Sequence, residues 1–175
     1  MPKLGQSFAK VAFISSFLPS KCAIATFTSD LSKNLRLAGG EDFEPAVFVI
    51  RSDPAQNYQK PVKFRMHRDI RYDFLAAANY INLGGGDIVS VQHEFGLFGA
   101  EAGCYLNLLL KRLRKPVTTT LHTVLEKPSA ASFDALARVC PTSDTVVLMN
   151  KRGLRMLRKI YSVPGDKISL VPHLQ

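Results

Sequence analysis

The sequence predicts an α/β domain, a doubly wound, mostly parallel sheet with helices on both faces. Three observations carry this. Strand-like and helix-like segments alternate almost from end to end, the pattern of strands joined by helical crossovers. The strand runs, VAFISSF and PAVFVI among them, are short and continuously apolar, as strands covered on both faces are. Glycine runs at Gly39-Gly40 and Gly84-Gly85-Gly86 then stop helices where the apolar periodicity ends.

Taken in order, Val11 to Phe17 reads as a buried strand, followed by a loop through Pro19 and Ser20. A helix is expected from about Ala23 to Leu37, with Ile24, Phe27, Leu31 and Leu35 as its apolar face. Pro45 to Ile50 is a second strand, Arg51 to Pro61 a loop with two prolines, and Val62 to His67 a weaker strand. Ile70 to Leu83 has helical spacing at Ile70, Phe74, Ala77, Ala78 and Ile81. Asp87 to Gln92 is a strand. Gly99 to Leu113 is helical, with Tyr105, Leu106, Leu109, Leu110 and Leu113 inward. Pro116 to Leu121 and Thr145 to Met149 are strands flanking a helix from Ser129 to Val139, where Ser129 is a candidate N-cap. A helix over Lys151 to Tyr161 and a strand over Lys167 to Val171 complete the pattern. The 175 residues suit one domain, and no linker to a second is visible.

Composition narrows the partners. Lys plus Arg is 23 against 14 Asp plus Glu, a net charge of +9 that favours nucleic acid, an anionic membrane surface or phosphorylated small molecules. Nucleic acid is not expected, because no recognition motif or aromatic interleaving accompanies the charge. The helix KRGLRMLRKIY has Leu154, Leu157 and Ile160 in one stripe and Lys151, Arg152, Arg155, Arg158 and Lys159 mostly elsewhere. That pattern fits either a solvated helix covering the sheet or docking on an anionic membrane. No apolar run approaches the roughly 18 residues of a membrane span, and no secretory leader is evident. The three cysteines, Cys22, Cys104 and Cys140, are far apart and form no CxxC pair. No metal site and no disulfide framework is expected, and a reducing cytoplasm is the natural setting.

In open α/β sheets ligands bind beyond the carboxyl ends of the strands, where strand order reverses. His67, His93, His122 and His173, all four histidines, lie at or just past predicted strand ends. His93 and His122 follow the most apolar strands and are the functional candidates; His67 and His173 read as structural. Glu94 and the 19–23 loop share that edge, and a helix N-terminus there would suit phosphate or a sugar hydroxyl. Gly99 either admits a ligand closely or makes a tight turn. Standard catalytic motifs are missing. There is no GxSxG elbow, no GxxxxGK[ST] loop, no GxGxxG after the first strand, and His93-Glu94 does not extend to HExxH.

The segments FLPSKCAIATFTSDL, DIVSVQHEFGLFG, PVTTTLHTVLEKPS and VVLMNKRG…VPGDKISLVPH occur in an order that resembles the N-terminal half of a family 4 (group 1) glycosyltransferase. The resemblance runs from about Val11 to His173. It implies a Rossmann-like N-terminal domain of the GT-B architecture, whose two such domains face each other across a cleft. It implies transfer of a sugar with retention of configuration, no cofactor and no metal. Ser20, Lys21, Cys22 and Ala23 match the family's first-strand loop near donor phosphates and acceptor. His93 and Glu94 match a cleft-facing pair, and His122, followed by Thr123, matches a histidine close to the reaction centre. His122 is read as orienting the acceptor or acting electrostatically, not as a general base.

Two departures matter. Cys22-Ala23 stands where the family has Cys-Gly, so a methyl replaces a hydrogen close to the ligand. The donor half, with its glutamate pair, is not in these residues. The expected partners are therefore a sugar or glycolipid acceptor, and a nucleotide-sugar donor only together with a C-terminal domain. By itself the chain is expected to lack transferase activity and to leave its cleft face open to self-association. The alternative is a non-catalytic binding module that uses its basic surface for an anionic partner, peripheral to the inner face of a membrane.

Overall fold

In the computed structural model, residues 10–39, 43–51, 53 and 55–172 are described. The strands are β1 (Val11–Ser15), β2 (Ala46–Arg51), β3 (Val62–His67), β4 (Ile88–His93), β5 (Val117–Leu121), β6 (Thr145–Leu148) and β7 (Ile168–Leu170). They form one seven-stranded sheet in the order β3-β2-β1-β4-β5-β6-β7, and every pair is parallel. The helices are α1 (Ala23–Gly39), α2 (Arg71–Tyr80), α3 (Leu106–Arg112), α4 (Ala130–Thr142) and α5 (Lys151–Tyr161). The chain moves one way from β1 to β3 and the other way from β4 to β7. The order therefore reverses between β1 and β4, the arrangement of a Rossmann-like sheet.

Burial follows this order. The central strands β1 and β2 are buried along nearly their whole length, whereas the edge strand β3 alternates between half-buried and exposed up to a buried Met66. One sheet face packs Ala12, Ile14, Val89 and Val91 against Phe74, Ala77, Ala78 and Ile81 of the α2 region and Leu106, Leu109 and Leu110 of α3. The same face continues as Leu121, Val146 and Leu148 against Leu136 and Cys140 of α4 and Leu157 and Tyr161 of α5. On the opposite face Phe13, Val47 and Val49 join Phe17 and Tyr58, with Leu31 of α1 at the margin.

Two elements differ from the sequence expectation. The apolar stripe of α1 meets the sheet only at the margin, through Leu31. Its buried residues are Ala25, Thr28, Ser29, Ser32 and Gly39, while Leu35 and Leu37 are exposed and Ile24, Phe27 and Leu31 are half-buried. Small side chains let the helix approach the sheet closely, and the buried hydroxyls are satisfied locally. Ser15 Oγ and Thr28 Oγ1 are 2.7 Å apart, and Thr28 Oγ1 also donates to the Ile24 carbonyl at 2.8 Å.

The helix expected from Gly99 starts instead at Leu106. Gly99, Ala100, Ala102 and Gly103 all have positive φ, and such a run cannot propagate a right-handed helix. Gly99 is required there. At φ +67° a Cβ would lie 1.6 Å from the Arg68 carbonyl oxygen, so the close approach is to the protein's own backbone. Smaller differences are ordinary end effects. α2 runs on into a wide turn at Ile81–Gly85, where Gly84 has φ 113°.

Candidate functional site

The carboxyl ends of β1, β4 and β5 lie side by side at the reversal point. The loop after β1 turns through Ser16 to Cys22 into the N-terminus of α1. Cys22 caps that helix with sulfur: its Sγ accepts from Ala25 N–H at 3.4 Å and sits 3.1 Å from Ser16 Oγ. Ala23 and Lys21 are exposed. Ser20 is turned the other way, its Oγ donating to Gln56 Oε1 at 3.1 Å and lying 3.2 Å from Tyr58 Oη. The Ser20–Ala23 segment is thus split between two jobs: Ser20 ties down the 56–58 loop, and Cys22 starts α1.

β4 and β5 supply the other wall. Neighbouring residues on a strand point to opposite faces. Gln92 therefore faces the α1 side, and His93 faces the α2–α3 core. His93 is 1% exposed, with its ring edge-on to Phe95 at 5.2 Å and stacked on Phe98 at 5.9 Å. Burial, with the nearby His122 adding to it, pushes His93 down to about 4, so the ring is neutral near pH 7. The histidine expected to line a cleft is a core residue here.

His122 just beyond β5 lies on the open side. Its Nε2 is 2.9 Å from Gln92 Oε1, and Gln92 Nε2 donates to Ser90 Oγ at 3.2 Å. With the amide oxygen turned to the ring, Nε2 carries the proton, and Nδ1 presents a lone pair. The Phe27 ring of α1 meets the imidazole edge-on at 5.0 Å. Burial lowers the His122 pKa and Glu94 opposes that shift, so the ring is a neutral acceptor rather than a cation at pH 7. Glu94 holds two loops together: Oε2 accepts from Thr123 Oγ1 at 2.6 Å, and Oε1 accepts from Phe95 N–H at 3.0 Å.

Two cavities meet at His122. One, of about 660 Å³, runs along α1 past Thr26, Phe27, Asp30 and Asn34 to Met149. The other, of about 300 Å³, lies between Thr123–Glu126 and the start of α5 at Asn150–Gly153. Hydroxyl, amide and carboxylate groups beside an aromatic ring suit a polyhydroxylated ligand. Sequence reading missed Gln92, Phe27, Asp30 and Asn34. Strand alternation could have found Gln92, a polar side chain one residue out of phase with His93; the rotation of α1 hid the other three. His67 ends the edge strand, accepting at Nδ1 from Asp69 N–H at 3.3 Å, and His173 lies outside the described residues. Among the described residues no cluster of three or more His, Cys, Asp or Glu could hold a metal ion.

No protein-family model matches the sequence, and no curated protein matches it. Solved structures do match the fold. An α-glucosyltransferase in complex with UDP and a 13-mer DNA containing a central A:G mismatch aligns with TM-score 0.56 and 12% identity over 83% of this chain and 38% of that one. A glycosyltransferase from Rickettsia africae ESF-5 aligns with TM-score 0.58 and 16% identity over 94% of this chain and 43% of that one. The chain thus spans less than half of either structure, and at these identities the likeness is one of fold.

Proposed function

We propose that this chain is the N-terminal, acceptor-binding half of a retaining GT-B glycosyltransferase of the family 4 (group 1) kind. The observation that carries the reading is His122, held by Gln92 and Phe27 at the mouth of two cavities beside the strand-order reversal. Its Nδ1 lone pair accepts a hydrogen bond from an acceptor hydroxyl and turns that oxygen toward a sugar carried by the facing domain. The ring orients and does not remove the proton, since a neutral imidazole of lowered pKa is a weak base. Phe27 offers an apolar face to the acceptor's ring carbons, and Thr26, Asp30 and Asn34 offer hydrogen bonds to its hydroxyls. Ala23 borders the cavity along α1 and Lys21 is exposed beside it, with the α1 N-terminus available to donor phosphates. Glu94 and Thr123 fix the loop that carries His122, and the His93 carbonyl accepts from His122 N–H at 3.1 Å. The nucleotide-sugar donor is held by a C-terminal domain beyond these residues.

The test combines the chain with a matching donor domain and screens nucleotide sugars for transfer, while amide NMR follows acceptor binding at Phe27 and His122. Transfer that His122→Ala lowers by about a hundredfold, through lost orientation, is expected. Absence of transfer together with absence of acceptor-induced shifts would sink the reading.

One observation favours a second reading, an anionic surface as partner. Lys151, Arg152, Arg155, Arg158 and Lys159 of α5 are all exposed. Leu157 is buried and Leu154 and Ile160 pack on the same core, so the apolar stripe is not available for insertion. Docking would be electrostatic alone, and sedimentation with anionic vesicles must then disappear at high salt.

A further inference from the structure

A separate groove of about 500 Å³ runs along the other flank of α1 and shares no lining residue with the cavities at His122. It extends from Phe17–Pro19, after β1, to Glu44–Pro45, before β2. Its outer wall is the segment from Asn57 to Lys63. That wall is anchored. Tyr58 is 5% exposed, its hydroxyl bonds Gln56 and Ser20, and its carbonyl accepts from Arg65 Nη2 at 3.2 Å. Pro61 O accepts from Val47 N–H at 3.0 Å, tying the end of the wall to β2.

The groove is charged out of balance. Lys33, Arg36, Lys60 and Lys63 line it against one carboxylate, Glu44. Glu44 is already engaged: Lys63 Nζ donates to it at 2.7 Å, and that bond holds its carboxyl below the usual range, helped by the charges of Lys63, Lys10 and Lys60. Among the described residues Lys33 meets Asp30, an exposed contact at 3.8 Å that contributes little. Arg36 and Lys60 have no hydrogen-bond or ion-pair partner among the described residues. The backbone that carries these cations, a helix on one wall and an anchored segment on the other, is in place before any ligand arrives. Between them the floor is apolar, made by Phe17, Leu18 and the prolines 19, 45 and 61.

We propose that this groove is a subsite for a phosphate-bearing ligand, with Arg36 and Lys60 gripping the phosphate and the floor receiving the uncharged body. The inference goes beyond the acceptor-half reading: the ligand of this second site carries a phosphate group, either as a soluble phosphate ester or as a lipid headgroup. A guanidinium opposite an ammonium suits that anion, the first by its bidentate fork and the second as a point charge.

The experiment is an NMR titration of the chain with inorganic pyrophosphate, repeated with phosphatidylglycerol vesicles. Amide shifts are expected at Lys33–Arg36 and Asn57–Lys63. The exposed-site double variant Arg36→Ser/Lys60→Ser should bind pyrophosphate at least about tenfold more weakly, the scale of losing charge-assisted hydrogen bonds. The control Lys111→Ser/Arg114→Ser, exposed cations at and just after the end of α3, should bind as before. If the double variant does not fold, Lys60→Ser alone must show the loss in part. Vesicle binding abolished by the double variant assigns the phosphate to a headgroup, whereas pyrophosphate binding without vesicle binding assigns it to a soluble phosphate ester. Shifts centred on Cys22 or α5, unchanged affinity in the double variant, or no groove shifts at all overturn the proposal. No donor is present in this measurement, so its failure leaves the His122 transfer test standing, and the reverse also holds.

Discussion

Both ring nitrogens of His93 are buried without a hydrogen-bond partner among the described residues, and this has a measurable effect on stability. The folded ring resists protonation down to about 4, whereas an unfolded histidine takes its proton near 6.5. Between those values the unfolded chain binds more protons, so acid favours unfolding. The contribution is whole above pH 6.5, is lost as pH falls toward 4, and is on the order of 3 kcal/mol when fully lost. His122, also shifted down, adds in the same direction. Urea unfolding across this window should show His93→Phe, which keeps the ring stacking, losing less stability on acidification than the parent. An equally steep fall in the variant would refute the assignment. For Gln92→Leu, the ¹⁵N shifts of His122 should show the Nε2-protonated tautomer becoming less populated, toward the balance of a free imidazole, with a stability cost of about 1 kcal/mol. An unchanged tautomer would mean that Gln92 does not orient the ring. The sequence made His122 and Glu94 visible by their position after apolar strands. It misjudged His93 because a histidine at a strand end can point to either face, and only the alternation with Gln92 decides.

At the level of elements, caps and turns carry the specific claims. Ser129 Oγ accepts from Ser132 N–H at 3.2 Å at the start of α4, and Asn150 Oδ1 accepts from Gly153 N–H at 2.7 Å at the start of α5. Alanine at either position should cost about 1 kcal/mol by thermal or urea unfolding, with no change in the fold. Gly99→Ala should cost more, at least about 2 kcal/mol, because the methyl meets the Arg68 carbonyl and the backbone sits at positive φ. A near-neutral result would show that the 94–105 segment can move away from β3. Ser129 was readable as a cap because a serine stood before an apolar period. The late start of α3 was not, because Leu106, Leu109, Leu110 and Leu113 have helical spacing whether the helix starts at residue 99 or 106. Nor was the rotation of α1. Its apolar stripe is real, but Ala25, Thr28, Ser29 and Ser32 allow closer contact with the sheet than Phe27 and Leu31 would.

For the whole molecule, alternation of strands and helices was enough to predict a parallel doubly wound sheet, since few other architectures satisfy that pattern. Strand order was not written in the same way. It follows from crossover handedness and packing, which no local window contains. The two faces of the sheet are unequally loaded. α2 to α5 lock onto one face through leucines, phenylalanines and tyrosines, while α1 meets the other through small side chains. Resistance to opening should therefore be unequal as well. In native-state hydrogen exchange, amides in β1, β4 and β5 should exchange only when the chain unfolds globally. Those of α1 should exchange through a smaller, local opening. Uniform protection across α1 and the central strands would contradict this. α1 carries Phe27 on one flank and Arg36 on the other, so both cavities have their softest wall in common. A ligand on either side would first be felt as slower exchange along this helix.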